Sequence, residues 1–351
     1  DLFTDERYVI IPDLQRDYCW GDKKHGENNN LELVSGFIDS LNEIFKDGDL
    51  LSEEFGESFT NDEVRQSLNS DYIVNKKYLD DKNYSDIRVK ALLALSSIQI
   101  IFSNIHFPKR DSRDIFDYLK ILNLFGQIHF DYSEFYLSSL DLKGTKLFFK
   151  YCTFHRRWSL QDYNVLENVD DVIYQACTFK DEVSNYSPDE NKKYYKIKAN
   201  QFDYTCKFEK SLNLRNIKFY GLLFSTAQGN FLEEKLKIKE VKIEDSIFNS
   251  KVIINRFEID NRIIKNTIFQ NKFEFKENDI QRFDIDNSNF KKLTDFYASK
   301  FEEFRVFKSI FDDFVGFEKC EFGSKNIIGE KYIANFTYAT FLNFINFRNT
   351  T

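Results

Sequence analysis

The chain is poor in the residues that interrupt packed structure. It has 3 prolines and 12 glycines among 351 residues, against 39 phenylalanines. This composition excludes collagen-like, linker-like and low-complexity disordered classes, and predicts a chain that folds around a sizeable core. No run of eighteen apolar residues is present, since even the stretch 91–101 contains Ser96, Ser97 and Gln99. The N-terminus also lacks a basic-then-apolar signal segment, so we expect a cytoplasmic protein that makes no membrane contact.

An excess of positive charge is missing as well. Residues 1–127 contain 24 acidic and 15 basic side chains, and residues 128–351 contain 33 acidic and 34 basic ones. Neither part shows the basic stripe with which a nonspecific nucleic-acid binder displaces counterions from phosphates. Direct DNA binding is therefore not the first expectation.

Cysteine pairs with the short separation of a zinc knuckle or a redox motif are absent, and we expect no metal and no cofactor. The five cysteines are Cys19, Cys152, Cys177, Cys206 and Cys320. The last four share the context Cys-x-Phe, which places a small thiol and an aromatic ring on the same face of a strand. This pattern predicts reduced, structural cysteines, in keeping with a reducing compartment.

Apolar residues at spacings of three and four predict helices in the first third of the chain. The segments are 31–45, 85–101 and 112–125, and the residues between them are polar and acidic. We therefore expect residues 1–127 to form a mostly α-helical N-terminal region.

The remaining two thirds of the chain repeat a different pattern, a small residue two positions before phenylalanine. The triplets are Cys152–Phe154, Cys177–Phe179, Cys206–Phe208, Ser246–Phe248, Thr267–Phe269, Ser288–Phe290, Ser299–Phe301, Ser309–Phe311, Cys320–Phe322 and Ala339–Phe341. From Phe248 onward the steps between these phenylalanines are 21, 21, 11, 10, 11 and 19 residues. Such steps are close to multiples of five, a period that fits neither a helix nor a flat strand, so the chain turns a corner at each step.

With this pattern, residues 128–351 resemble divergent, phenylalanine-rich members of the pentapeptide-repeat family. The resemblance implies a mainly β fold, a right-handed, four-sided β-helix solenoid in which four pentapeptides make one turn and phenylalanines stack along the axis. Segments 183–193 and 224–238 break the period and are expected to leave the coil, either as binding loops or as idle surface loops. A solenoid end requires a polar cap, which a further segment or a homodimer through that end would supply.

The cluster His155-Arg156-Arg157-Trp158 combines positive charge with an aromatic ring. A nucleic-acid base could stack there, or the cluster could form a corner of the coil.

The most specific short motif is Ile11-Pro12-Asp13-Leu14-Gln15-Arg16-Asp17-Tyr18-Cys19-Trp20. It resembles the opening of the N-terminal domain of GmrSD-type modification-dependent restriction enzymes, which is related to ParB-like nucleotide-binding folds. The resemblance assigns Gln15 and Arg16 to a nucleotide or phosphate site, and an arginine fork suits bidentate phosphate contact. The second signature of that family, Asp-Gly-Gln-Gln-Arg, is absent, because Asp47-Gly48 is followed by Asp49-Leu50. No catalytic residue is assigned.

Three functions are consistent with these observations. The first is a non-catalytic protein-interaction scaffold built on the solenoid, with a protein partner. The second is a restriction or defence protein whose N-terminal region senses nucleotide or nucleic acid through Gln15 and Arg16. The third, implied by the pentapeptide-repeat resemblance, is a DNA mimic that modulates a topoisomerase, although the balanced charge of residues 128–351 counts against a dense negative face.

Overall fold

The structure is a computed structural model that describes residues 8–11, 99–104, 106–107, 126–140, 146–160, 172–185, 194–225, 235–323 and 333–351. Every element of this described part is a β-strand, and the strands pair in parallel. The chain divides into two units, Asp1–Phe148 and Phe149–Thr351. The prediction of a mainly β fold is therefore confirmed.

The first unit contains two small sets of parallel strands. Its strands are β1 (Tyr8–Ile11), β2 (Gln99–Ser103), β3 (His106–Phe107), β4 (Gln127–Asp131) and β5 (Glu134–Phe135). Strand β2 pairs with both β1 and β4, and β3 pairs with β5. The register stacks Phe102 on Phe130 and Phe107 on Phe135, with ring centroids 5.6 and 4.8 Å apart. Aromatic stacking between successive strands thus begins before residue 128.

The helix predicted over residues 85–101 is wrong at its C-terminal end, because Gln99–Ser103 is a strand. Ile100, Ile101 and Phe102 have high β-propensity, and Phe102 is buried against Phe130 of the adjacent strand. Pairing with β4 therefore overrides the helical spacing of the preceding residues. The other segments predicted to be helical lie outside the described residues.

Most strands of the second unit belong to three parallel sheets. Sheet 1 contains β8 (Trp158–Leu160), β11 (Val183–Asn185), β15 (Ser211–Arg215), β18 (Leu236–Glu244), β21 (Phe257–Lys265), β24 (Asp279–Asp286), β27 (Lys300–Phe307), β30 (Glu321–Phe322) and β31 (Ala334–Thr337). Sheet 2 contains β12 (Tyr195–Ile197), β16 (Ile217–Phe219), β19 (Ile247–Phe248), β22 (Ile268–Phe269), β25 (Asn289–Phe290), β28 (Ile310–Phe311) and β32 (Thr340–Phe341). Sheet 3 contains β20 (Val252–Ile253), β23 (Phe273–Glu274), β26 (Thr294–Asp295), β29 (Val315–Gly316) and β33 (Ile345–Asn346). The other strands are β6 (Lys146–Lys150), β7 (Thr153–Phe154), β9 (Val172–Gln175), β10 (Thr178–Phe179), β13 (Asn200–Asp203), β14 (Lys207–Phe208) and β17 (Phe224–Ser225).

Residues 236–323, here called the regular repeats, return to the same position after every 21 residues. The register pairs Phe248 with Phe269, Phe290 and Phe311 in succession. The repeat is therefore one residue longer than four five-residue steps. Residues 333–351, here called the last repeat, continue the same sheets, but Phe341 follows Phe311 after 30 residues.

In-register parallel pairing places identical side chains directly above one another. The rings of Phe248, Phe269, Phe290 and Phe311 form one column, with successive centroids 5.2, 4.7 and 4.7 Å apart. Burying each ring stabilises the fold by about 1.5–3 kcal/mol, and a well-oriented ring pair adds roughly 0.5–1.5 kcal/mol. The phenylalanine triplets found in the sequence therefore line the core.

The hydroxyl group of a small triplet residue such as Ser288 or Ser309 satisfies buried backbone groups at a corner of the chain. Just before the small residue lies a residue with positive φ, such as Asn266 or Asn287. The buried Ser288 Oγ accepts a hydrogen bond from the Thr267 backbone N–H (3.1 Å) and donates one to the Asp286 carbonyl (2.9 Å). Because the same arrangement recurs 21 residues later at Ser309, a hydroxyl column satisfies buried backbone groups along the repeats.

Two segments expected to leave the coil are partly in it. Val183–Asn185 pairs in register with β8 and β15, and Phe224–Ser225 pairs with β13. Val183 and Phe224 are buried, so their apolar side chains hold these segments in the stack. The remainder of the two predicted excursions, residues 186–193 and 226–234, lies outside the described residues.

The His155–Trp158 cluster forms a corner rather than a surface for base stacking. Trp158 is fully buried, and its Nε1 donates a hydrogen bond to the Tyr174 hydroxyl at 2.7 Å. Arg157 remains at the surface and pairs with Glu182.

Candidate interaction surface

The two residues assigned to a nucleotide site, Gln15 and Arg16, lie outside the described residues. Strand β1 ends at Ile11, where the Ile-Pro motif begins. In the part of the chain that the structure describes, no group of three or more His, Cys, Asp or Glu side chains could hold a metal ion. The same part contains no helix of the length and hydropathy that a membrane span requires.

The described cysteines are free and buried. The Sγ–H groups of Cys206 and Cys320 donate to the carbonyl oxygens of Tyr174 and Phe296, at 3.3 and 2.9 Å. Burial raises the pKa of the Cys177 thiol well above its usual range and that of Cys320 to about 12. Since the thiolate is the nucleophile and the metal ligand, these thiols serve packing and hydrogen bonding.

The outer surface of the regular repeats is charged and paired. Many carboxylates there face an ammonium group of the same or a neighbouring repeat. The pairs between repeats include Lys237–Glu258, Lys276–Asp295, Lys291–Asp312 and Lys300–Glu321, with N–O distances from 2.8 to 3.2 Å. These side chains are partly or largely exposed, so each pair contributes about 0–1 kcal/mol.

The last repeat lacks this charged exterior. Eight of the 19 residues 303–321 are charged, whereas Arg348 is the only charged residue among the 19 residues 333–351. Large apolar side chains are exposed instead: Tyr338 is 75% exposed, Leu342 66%, Phe344 66% and Phe347 48%. At the position of Leu342 the preceding repeat has Asp312, which is paired with Lys291.

The strands of the last repeat also form an open edge. Strands β31, β32 and β33 pair with β27, β28 and β29 on one side, and with no described strand on the other. Natural edge strands are usually protected by lysines, prolines or bulges, or are covered by another segment. Residues 333–351 contain no lysine and no proline, and Arg348 is their only charged residue, so this edge has the features of a surface that becomes buried.

The aromatic rings that continue the core columns at this edge have a stacking partner on one side only. Phe341 stacks on Phe311 at 4.9 Å and Phe347 on Phe317 at 5.1 Å. Phe311 and Phe317 are fully buried, whereas Phe341 is only half-buried and Phe347 is exposed. The open edge therefore surrounds an exposed cross-section of the aromatic core.

The sequence predicted repeats and a solenoid end that needs a cap, but not which residues form this surface. The loss of charge after residue 332 is visible in the sequence. The consequence of this loss depends on the strand pairing, which places residues 333–351 at the edge of all three sheets among the described strands, together with β30 in sheet 1.

The sequence matches no protein-family model and no curated protein, and no solved structure matches the fold. The functional argument therefore rests on the geometry of the described residues.

Proposed function

We propose that the protein is a non-catalytic interaction scaffold, a right-handed four-sided β-helix that joins a second copy of itself through the last repeat. In-register pairing every 21 residues and the stacked phenylalanines support the β-helix and its resemblance to the pentapeptide-repeat family. The observation that carries the function is the open edge of residues 333–351, which contain one charged residue in 19.

The shape of the edge favours another repeat as its partner. Strands β31, β32 and β33 contain 4, 2 and 2 residues and lie on three different sheets. A single extended peptide could pair with only one of them. A second end of the same outline can meet all three strands and cover Phe341 and Phe347 at the same time.

The charge of the surface favours a second copy of this chain. The formal net charge of −8 comes from residues 1–127, and residues 128–351 are balanced in charge, so no net charge of this part opposes self-association. The last repeat holds a single charge, so two such ends meet with little electrostatic repulsion. In a two-fold dimer each patch contacts its own counterpart, and facing strands run antiparallel, a pairing that forms regular hydrogen bonds.

The test is the mass of the full chain in solution, measured by sedimentation velocity over a range of concentrations. We expect a dimer for the wild type and a monomer for the double variant Leu342→Lys/Phe344→Lys, because four ammonium groups would then meet at one interface. Both side chains are largely exposed, so the variant should fold.

Leu293→Lys is the matched control. Leu293 is two repeats before the last one, in the register position of Phe314 and Phe344, away from the edge. The Leu293→Lys variant should remain dimeric. A monomeric wild type at every concentration would contradict the proposal, as would equal loss of dimer in the control.

A further inference from the structure

A second surface of the structure combines exposed lysines with tyrosines. It lies on the outer face of sheet 2, on strands β12 and β16 and the residues next to their ends, far in sequence from the last repeat. Its residues are Tyr194, Lys196, Lys198, Lys218 and Tyr220, here called the basic face. Ile197 and Phe219, which alternate with the lysines, are buried, so the lysines and Tyr220 point outward.

The lysines of the basic face lie close together. Lys196 and Lys218 are direct partners in the parallel register, which places their Cα atoms about 4.8 Å apart. Lys198 follows Lys196 by two residues, just after the end of β12, and is exposed as well. Like charges at such distances repel one another, and a polyanion would remove the repulsion.

No carboxylate of the described residues pairs with these three lysines, although carboxylates pair with many other lysines of this unit. The segment 194–225 contains six basic residues and two acidic ones. Of these two, Asp203 is buried and Glu209 pairs with Lys180. Within the part of the chain that the structure describes, this segment therefore carries positive charge on an exposed sheet face without a carboxylate partner.

The tyrosines supply flat rings beside the charges. Tyr220 is 44% exposed, and the Lys218 Nζ lies 5.0 Å from the centroid of the Tyr194 ring. Proteins that bind single strands of nucleic acid combine lysines or arginines that contact phosphates with aromatic rings on which bases stack. A duplex keeps its bases inside the helix and would leave the rings unused.

We propose that the basic face binds a single strand of nucleic acid, with Lys196, Lys198 and Lys218 on successive phosphates and Tyr220 under a base. This site is separate from the open edge of the last repeat. Sequence totals conceal it, because residues 128–351 are balanced in charge as a whole.

The test is fluorescence anisotropy of a labelled oligothymidylate with the full chain at several salt concentrations. Neutralising the face with Lys196→Gln/Lys198→Gln/Lys218→Gln should raise Kd by about tenfold or more at low salt. It should also reduce the slope of log K against log salt by about 2, because each phosphate contact on a single strand contributes about 0.7.

The matched control is Lys239→Gln/Lys251→Gln/Lys265→Gln, which removes the same charge from three exposed lysines on other faces. It should bind like the wild type. For the aromatic contact, Tyr220→Ala should weaken binding about fivefold or more, and Tyr338→Ala on the last repeat should not.

Absence of binding at low salt, or equal losses in the two triple variants, would overturn the proposal. Equally tight binding of duplex DNA or of inorganic polyphosphate, with Tyr220→Ala unaffected, would reduce the basic face to a nonspecific polyanion surface and would also overturn it.

Discussion

The regular repeats and the last repeat share an interior and differ in their exterior. Both place phenylalanine in the same columns, as Phe290, Phe311 and Phe341 show. The regular repeats surround those columns with ion pairs, whereas the last repeat has a single charged residue in 19. Stacking of the interior therefore does not require the exterior charges, and the charges instead determine which surfaces remain exposed to water.

The largest expected effect on the free energy of unfolding comes from removing a ring of one column, at Phe290 or at Phe341. Phe290 is fully buried between Phe269 and Phe311, so Phe290→Ala should lower the free energy of unfolding by about 3–5 kcal/mol. Phe341 stacks on Phe311 only and is half-buried, so Phe341→Ala should cost less than half as much in the monomer. The measurement is urea denaturation at a concentration below that of any association.

Raising the protein concentration extends this comparison. If a second copy covers the edge, the cost of Phe341→Ala should grow with concentration while that of Phe290→Ala does not. Equal costs for the two variants in the monomer would show that the last repeat is already covered as completely as the regular ones.

A second prediction concerns Arg262, a charged residue whose side chain lies in the interior of the regular repeats. Arg262 is fully buried in a position occupied by Val241 and Phe283 in the adjacent strands. Its guanidinium has no hydrogen-bond partner among the described residues and lies 4.3 Å from the centroid of the Phe275 ring. Burial lowers the pKa of Arg262 to about 9, because the charged form loses its hydration.

Arg262→Met should therefore raise the free energy of unfolding by about 1–4 kcal/mol. The pKa is lower in the folded state than in the unfolded state, so the cost of the arginine is full below pH 9 and falls as the pH rises above 9. The gain from Met, measured by denaturation at several pH values, should fall in the same range. Arg282→Met, at an exposed arginine paired with Asp284, should change stability by no more than about 1 kcal/mol. A loss of stability in Arg262→Met would instead show that cation–π contacts outweigh the desolvation.

The sequence predicted the repeating part well because its period is carried by large, buried residues. Phenylalanine two positions after a small residue specifies both an inward ring and a hydroxyl or thiol at the corner, and both are found at Ser288 and Phe290. The 21-residue length could have been inferred from the steps of 11 and 10 between Phe290, Phe301, Phe311 and Phe322, which match the alternating corners of positive φ.

What the sequence could not predict depends on contacts between distant residues. Lys196 and Lys218 are 22 positions apart and become neighbours only through the register of sheet 2. The apolar residues before Gln99 recur at helical spacing, which extended the predicted helix into Gln99–Ser103. Pairing with β4 instead makes this segment a strand. Arg262 is an ordinary polar residue in the sequence, and its burial follows from its place in an otherwise apolar column.

The smallest expected effects on stability concern the hydroxyl column, which can be shortened in the regular repeats and extended in the last repeat. Ser288→Ala removes the acceptor of the buried Thr267 N–H and should destabilise the fold by about 1–3 kcal/mol. In the last repeat the equivalent residue is Ala339. Alanine has no hydroxyl group, so the column ends at Ser309. Ala339→Ser should extend it by one step and stabilise the fold by about 0.5–1.5 kcal/mol, since the new Oγ can accept from the Ser309 N–H. Urea denaturation of both variants in the monomer measures the two effects. A neutral Ala339→Ser alongside a costly Ser288→Ala would mean that water already satisfies Ser309, and that the column stabilises the repeats only where both neighbours exclude solvent.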